Sequence, residues 1–356
     1  MMRIAIDARE LTGHTTGVGR YLQRVLQEWG VARAPHRWAL YTPSSELACP
    51  PGLDAEIVRL PGQPGTRWEQ TTLAAALRRE RPDVLLSPAY SAPLAVTVPT
   101  VLAMHDVSFS AHPEWFGWRE GLRRRVLARL SARKARTVVT GTRFSRDEVV
   151  RYLGVPGERI RVIPYGLGMT GAATPASGRD PLVLYVGSIF NRRHVPELID
   201  GFALVARDHP NLELEIVGVN RTYPRQQLDT RPAVRGISVR LRDWVDDAEL
   251  HRLYGRARVF AFLSEYEGFG FTPLEALAAG ATPVVLDTPV AREVLGPAAV
   301  FVARPDAEEV AAGLRSALEP RVAQRVAAEA PAVLSRYDWR DTARLTLAAL
   351  EEAASR

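Results

Sequence analysis

Four short segments of this sequence carry residue types at spacings suited to chemistry on a phosphate-bearing ligand. The most informative is SEYEGFGFTPLEALAAG, Ser264–Gly280, which joins an apolar strand-like run to a helical pattern through a glycine-bearing turn. A helix start preceded by Gly268, Phe269 and Gly270 offers backbone N–H groups and the positive end of a helix dipole to an anion. Glu267 lies in the turn and Glu275 in the helix, with seven residues between them. Thr272, Pro273 and Glu275 also read as N-cap, N1 and N3 of that helix. Glu275 is therefore either a capping-box glutamate or a carboxylate that accepts hydrogen bonds from sugar or ribose hydroxyls. Glu267 stands outside the helix, where capping has no use for it.

The segment Tyr185–His194, YVGSIFNRRH, leaves a strand-like run through Gly187 and reaches Arg192 and Arg193 before the next helical pattern. Such a pair is either a solvated basic turn or a phosphate clamp. Arginine forks match phosphate oxygens bidentately and stabilise charge developing on a diphosphate leaving group. In Thr12–Tyr21, TGHTTGVGRY, Gly17 and Gly19 follow the first strand-like run, with Arg20 beside them. Glycine before a helix is common without any ligand, yet after a strand it lets backbone N–H groups approach a phosphate. In Ala103–Phe109, AMHDVSF, His105 and Asp106 end another apolar run, as structural groups or as contacts to a ligand.

The elements that must position these segments follow from periodicity. Apolar runs at Ile4–Asp7, Trp38–Tyr41, Val84–Ser87, Thr100–Met104 and Thr137–Thr140 alternate with helical patterns such as Tyr21–Trp29, Glu69–Arg79 and Arg119–Ala135. A stretch rich in Gly, Ala, Ser, Thr and Pro between Tyr165 and Asp180 reads as a linker. The pattern then restarts, with runs at Leu182–Val186, Leu212–Val217, Ile237–Leu241, Val259–Leu263 and Pro283–Leu286. Between them lie helical patterns at Pro196–His209, Asp247–Gly255 and Pro273–Ala279, and Ala307 to Ala354 is mostly helical. Alternation of this kind predicts an α/β fold of two Rossmann-like domains with parallel sheets, facing each other across an interdomain cleft. Ligands are expected at the carboxyl ends of the strands. The predicted boundaries are 1–165, a linker at 166–180, a second domain at 181–335, and a last helix at 336–356 crossing back to the first.

Bulk composition narrows the function classes. The 356 residues, 46% hydrophobic and 24% charged, suit a soluble globular chain with two cores. A single cysteine, Cys49, excludes an internal disulfide and a cysteine-based metal cluster. The strand-like start, MMRIAID, shows no signal-peptide pattern, and no apolar stretch approaches the length of a membrane span. The expected location is cytoplasmic, or peripheral at the inner face of the plasma membrane. The net charge of +6 is almost all arginine, Lys134 being the one lysine, and suggests an acidic partner. Residues 115–136, WFGWREGLRRRVLARLSARKAR, read as a solvated basic helix or as an interfacial helix on an anionic membrane.

The stretch EGFGFTPLEALAAG resembles the E-x7-E motif of the retaining GT-B glycosyltransferases of family 4, and the resemblance runs from Ile4 to about Trp339. It implies that Glu267 lies beside the donor sugar and Glu275 at the ribose hydroxyls of a nucleotide, with Gly187, Gly268, Phe269 and Gly270 around the nucleotide. It implies diphosphate contacts for Arg192 and Arg193, where the family usually shows an arginine–lysine–asparagine run. Gly17 and Gly19 become backbone donors near the diphosphate, and Arg20 a phosphate or acceptor contact. His105 becomes a contact to the transferred sugar, and Asp106 its support or an acceptor contact. Thr142–Arg143 and Tyr165 depart from the family's serine–glutamate pair and asparagine.

The implied reaction is retaining hexosyl transfer on one face of the sugar, with the nucleotide sugar as substrate, no cofactor, and a glycan or lipid-linked acceptor. No Asp-x-Asp pair occurs to hold a divalent metal, so no metal is expected. The DAR…GVGRY and HDVSF segments resemble bacterial mannosyltransferases of surface-polysaccharide assembly, which suggests GDP-mannose. Two alternatives stand beside this reading: a UDP-sugar 2-epimerase-like GT-B enzyme, and a basic nucleic-acid-binding module. No nucleic-acid partner is expected of a transferase.

Overall fold

The computed structural model describes residues 1–12, 17–168, 178–228 and 236–355. The start of the first glycine loop, Gly13 to Thr16, and most of the linker, 169–177, lie outside the described residues. The chain divides into two compact units, Met1–Gly166 with Tyr337–Arg356, and Leu167–Arg336.

The first unit holds one parallel sheet. Its strands are β1 (Arg3–Asp7), β2 (Arg37–Thr42), β3 (Ala55–Arg59), β4 (Val84–Ser87), β5 (Thr100–Ala103), β6 (Thr137–Thr140) and β7 (Ile160–Val162), in the order β3-β2-β1-β4-β5-β6-β7. Every residue of β4, β5 and β6 is buried, which is why these strands read as unbroken apolar runs. The edge strands β3 and β7 went unread in the sequence. β3 has no buried residue and β7 has three residues in all, so neither carries a continuous apolar signal.

The helix Gly17–Val31 turns Tyr21, Leu22, Val25, Leu26 and Trp29 inward at helical spacing. The last helix, Trp339–Ser355, packs against it: Trp29 Nε1 donates to the Ala343 carbonyl at 2.9 Å, and Thr342 Oγ1 to that of Pro164 at 2.7 Å. Thr142, where the family shows serine, caps the helix Arg143–Glu148 by accepting from Ser145 N–H at 3.0 Å.

The second unit repeats the plan. Its described strands are β8 (Asp180–Val186), β9 (Glu213–Val217), β10 (Ser238–Arg242), β11 (Ala257–Phe262), β12 (Thr282–Leu286) and β13 (Val300–Val302), all parallel, in the order β10-β9-β8-β11-β12-β13. Both sheets begin in the middle and grow outward in two directions. The strand order therefore reverses between β1 and β4 in one sheet and between β8 and β11 in the other, and crevices for ligands form at such switch points.

Candidate functional site

At the switch point of the second unit, Gly187 follows β8 and Ser264 follows β11. Gly187 has φ +146, and a Cβ there would stand 2.9 Å from Arg193 Nη1. Only glycine lets the chain turn here while Arg193 folds back over it. Arg193 Nε and Nη2 donate to Glu267 Oε1 at 2.9 and 2.7 Å, and Nη1 donates to the Ser188 carbonyl at 2.9 Å. Ser264 Oγ donates to the same Glu267 oxygen at 2.8 Å. One carboxylate oxygen thus takes three donors. The other, Oε2, has no protein donor among the described residues.

A guanidinium carries five N–H groups, and Arg193 also donates to the Tyr185 hydroxyl, so one N–H is left for a ligand after these contacts. Its plane lies over Phe262 at 4.9 Å and Phe190 at 5.6 Å, and Arg192 lies over Phe190 at 4.5 Å. Burial pulls the Arg193 pKa down, but Glu267 and Tyr185 outweigh it and hold the charge in place. The Tyr185 hydroxyl is pushed up to about 12, mainly by burial. The two segments that the sequence offered separately therefore meet in one ion pair across 74 positions. Ser264, Phe262, Phe190 and Tyr185 were missed, because a serine or an aromatic ending an apolar run has no local mark of function.

The helix after this turn corrects the capping assignment. It runs Phe271–Ala278, its N-cap is Gly270 at φ +92, and no side chain caps it. The left-handed glycine starts the helix earlier than Thr272, which places Glu275 at the fifth position, out of reach of the N-cap N–H. Glu275 is instead 5% exposed, and its Oε2 accepts from the Tyr254 hydroxyl at 3.1 Å. Gly268 and Phe269 are buried in the turn, Phe269 with its ring 4.9 Å from that of Phe271.

In the first unit, Gly17, Gly19 and Arg20 stand in the first turn of the helix Gly17–Val31, and Gly19 is buried. His105 follows β5 and has both ring nitrogens engaged. Nε2 lies 2.7 Å from the Pro88 carbonyl, which can only accept, so Nε2 carries the proton. Nδ1 then accepts from the Tyr165 hydroxyl at 2.8 Å, while that hydroxyl accepts from Gly141 N–H. Burial, opposed by Pro88 and Asp106, lowers the His105 pKa and favours the neutral ring. The Pro88 carbonyl thus sets the tautomer of His105, and Tyr165, a departure from the family pattern, holds the other ring nitrogen. Rings of Tyr21, Tyr165 and Tyr90 surround it at 5.1, 5.5 and 5.7 Å. Asp106 accepts from the Tyr90 hydroxyl at 3.1 Å and from Ser108 N–H at 2.8 Å.

The switch point of the first unit holds a cluster that the sequence did not disclose. Arg9 Nη2 lies 2.6 Å from Asp7 Oδ2 and 2.7 Å from Glu69 Oε1. Ser91 and Gln70 donate to Glu69 as well. Asp7 and Glu69 are 2% and 0% exposed, and burial, against the pull of Arg9, raises the Glu69 pKa. Residues 115–136 form a short turn and the helix Trp118–Lys134. Its outward side carries Trp118, 71% exposed, with Leu122, Val126 and Leu130 each about half exposed. Among the described residues no helix is long and apolar enough to cross a membrane, and no group of three or more His, Cys, Asp or Glu could hold a metal ion.

Comparison with known proteins agrees with this layout. Residues 15–168 match the family model described as Glycosyltransferase Family 4, and residues 172–332 match that of Glycosyl transferases group 1. A glycogen synthase of Mycobacterium tuberculosis is 31% identical over 291 residues, 76% of this chain and 68% of that protein. A GDP-mannose:cellobiosyl-diphosphopolyprenol alpha-mannosyltransferase of Komagataeibacter xylinus is 29% identical over 232 residues, 62% of this chain and 57% of the relative's length. Among solved structures, Anabaena Alr3699/HepE in complex with UDP and glucose superposes with a TM-score of 0.73 at 19% identity, over 99% of this chain and all of that one. That likeness shows a shared two-domain fold.

Proposed function

The chain belongs to the family 4 glycosyltransferases, and from that premise we propose that it moves a hexose from a nucleoside diphosphate donor to a glycan or lipid-linked acceptor. The reading is supported most by the arrangement at the second switch point: a guanidinium with one N–H to spare, a carboxylate with one oxygen open, and a helix start that no side chain caps. Arg192, Arg193 and the backbone N–H groups at Gly270 would take the diphosphate. Glu267 Oε2 would accept from a sugar hydroxyl, and Glu275 from the ribose. Gly17, Gly19 and Arg20 would add contacts from the first unit, and His105 and Asp106 would contact the transferred sugar and acceptor. With both His105 nitrogens engaged, its contact to sugar requires one of those bonds to be exchanged.

In the proposed step the bond between the anomeric carbon and the diphosphate oxygen breaks, and the electron pair leaves with the nucleoside diphosphate. Charge grows on that oxygen beside Arg192 and Arg193, whose fixed N–H groups stabilise it without reorganisation. The acceptor oxygen attacks on the same face, so its proton passes to the departing diphosphate oxygen and configuration is retained. The arginines carry the charge neutralisation that a divalent cation would otherwise supply, and activity is expected to persist in chelator.

The donor best supported is GDP-mannose, since mannosyltransferases recur among the relatives, including an O-antigen chain mannosyltransferase B of Escherichia coli. The outward side of helix Trp118–Lys134, with apolar residues four apart among arginines, suits docking on an anionic membrane from the cytoplasmic side. Nucleotide release from GDP-mannose that rises on adding acceptor supports transfer. Acceptor-independent release with epimerised sugar would replace it with the epimerase reading, and salt-sensitive binding to DNA with no response to nucleotide sugars would replace both. Sedimentation with anionic vesicles, absent with neutral ones, supports docking; equal, negligible binding to both contradicts it.

A further inference from the structure

Two segments of the second unit build the proposed diphosphate site: the turn Asn191–Arg193 with His194 behind it, and the turn Ser264–Gly270 after β11. Several bonds join them. Arg193 and Ser264 both donate to Glu267, and Glu265 N–H donates to the Arg192 carbonyl at 3.0 Å. His194 Nε2 lies 2.7 Å from Glu265 Oε1. Guanidinium, hydroxyl and backbone donors keep their protons near neutral pH, so of these bonds only that of His194 changes there.

The backbone fixes where this ring stands. His194 is left-handed at φ +49, and its N–H donates to the Asn191 carbonyl at 3.2 Å. Its carbonyl accepts from Leu198 N–H at 2.9 Å as the N-cap of the helix Val195–Ala206. From there the ring meets a carboxylate at each nitrogen: Glu265 at Nε2, and Glu197 Oε2 at 3.6 Å from Nδ1. A carboxylate only accepts, and a neutral imidazole carries one N–H. Serving both carboxylates therefore requires the doubly protonated ring. When the ring is neutral, one tautomer loses the bond to Glu265 outright. The other keeps it without charge assistance, at about half the strength.

Charged groups on the elements around the ring are Arg192 and Arg193 on its own turn, Glu197 and, a turn further along the helix, Asp200, and Glu265 and Glu267 on the facing turn. Burial lowers the His194 pKa, but Glu197 and Glu265 outweigh it and raise it above the usual 6.5. Where the family usually shows asparagine, this chain thus carries a titrating group.

We infer that His194 is a positioning residue: as imidazolium it latches the arginine turn to the Glu265–Glu267 turn and so holds Arg193 and Glu267 aligned for the donor diphosphate, and as neutral imidazole it loosens them. The inference rests on the transferase reading, which supplies the diphosphate. Nucleotide affinity is then full while the ring is protonated and falls as pH rises through its folded pKa.

The test measures binding of GDP and of UDP to the full chain and to His194→Asn, whose asparagine tolerates the left-handed backbone. The terminal phosphate of each nucleotide also titrates at about pH 6, and that part cancels in the ratio between two proteins. Wild type is expected to bind about fivefold more tightly than His194→Asn at about pH 6, and within about 1.5-fold of it at about pH 8.5. Glu265→Gln separates a latch from a local charge, since it removes a negative charge beside the diphosphate site but also weakens the bond to His194. It is expected to bind about threefold more weakly than wild type at about pH 6. A wild-type advantage over His194→Asn that is absent, equal at both pH values or larger at the higher one overturns the inference, and so does tighter binding by Glu265→Gln.

Amide hydrogen exchange without nucleotide reads the latch itself. The segments Gly187–Arg193 and Ser264–Gly270 should exchange more slowly in wild type than in His194→Asn at about pH 6, and equally in both at about pH 8.5. Equal exchange at both pH values overturns the inference. Should His194→Asn not fold, Glu265→Gln takes its place in the exchange comparison and in the affinity ratio. If neither nucleotide binds wild type at either pH, the transferase reading fails separately, and the exchange comparison still decides the latch.

Discussion

The two sheets reverse strand order in the same way, yet their switch points are built to opposite ends. In the first unit Asp7, Arg9 and Glu69 are saturated by one another, by Ser91 and by Gln70, and both carboxylates are buried. In the second, Arg193 and Glu267 remain 14% and 21% exposed, and one carboxylate oxygen and one guanidinium N–H remain for a ligand. Topology therefore places a crevice, and side-chain satisfaction decides its use. A closed triad fixes the strand ends and the Tyr90–Ser91 loop; an open pair can receive a leaving group.

The comparison breaks if replacing either arginine has the same consequence. Arg9→Met leaves two buried carboxylates without a counter-charge, and chemical denaturation should show a loss of about 3–5 kcal/mol in unfolding free energy. Arg193→Ala leaves a carboxylate that water can reach. Its unfolding free energy should fall by less, about 1–3 kcal/mol, while steady-state turnover falls by about 10²–10³. A large stability loss in the second variant, or a catalytic loss without a stability loss in the first, would erase the distinction.

Gly187→Ala sharpens it. A side chain at φ +146 and 2.9 Å from Arg193 should cost about 1–3 kcal/mol, read as lower thermal stability with weaker nucleotide affinity. Glu275→Ala removes a partner of Tyr254 and the proposed ribose contact, and calorimetry should show about tenfold weaker nucleoside diphosphate binding. Unchanged affinity there would leave Glu275 a structural role only.

The smallest effect concerns His194, at φ +49 beside the site. Burial lowers its pKa, but Glu197 and Glu265 outweigh that and raise it above the usual 6.5. A raised folded pKa gives stability that is full below the unfolded value and is lost as pH rises through the folded one. His194→Asn, which tolerates the left-handed backbone, should remove that part of the pH dependence above 6.5. A denaturation profile that keeps it would assign the titration elsewhere.

Much of the fold was legible because the central strands are buried on both faces and read as apolar runs, as Val84–Ser87 and Thr137–Thr140 show. Edge strands such as Ile160–Val162 were not, since a short half-exposed run looks like a loop. Within the candidate site, the motifs around Glu267 and Arg193 were visible one at a time. Their pairing was not, because nothing local in either segment points 74 positions away. The triad escaped for the same reason: Glu69 read as the start of a helical pattern, and only the fold sets it against Arg9. The helix start was misplaced at Thr272 because Thr-Pro-x-Glu is a strong local start signal, which a left-handed Gly270 overrides.

The central claim is that the open pair of the second unit receives the donor diphosphate. Its most direct test is thermal unfolding of wild type and Arg193→Ala with GDP, UDP, dTDP and ADP at millimolar concentration. A ligand that binds only the folded state raises its stability with the logarithm of saturation. The account predicts a clear rise for wild type with one of these nucleotides, GDP first, and little or none for Arg193→Ala. No rise with any of them, or an equal rise in both proteins, would contradict it.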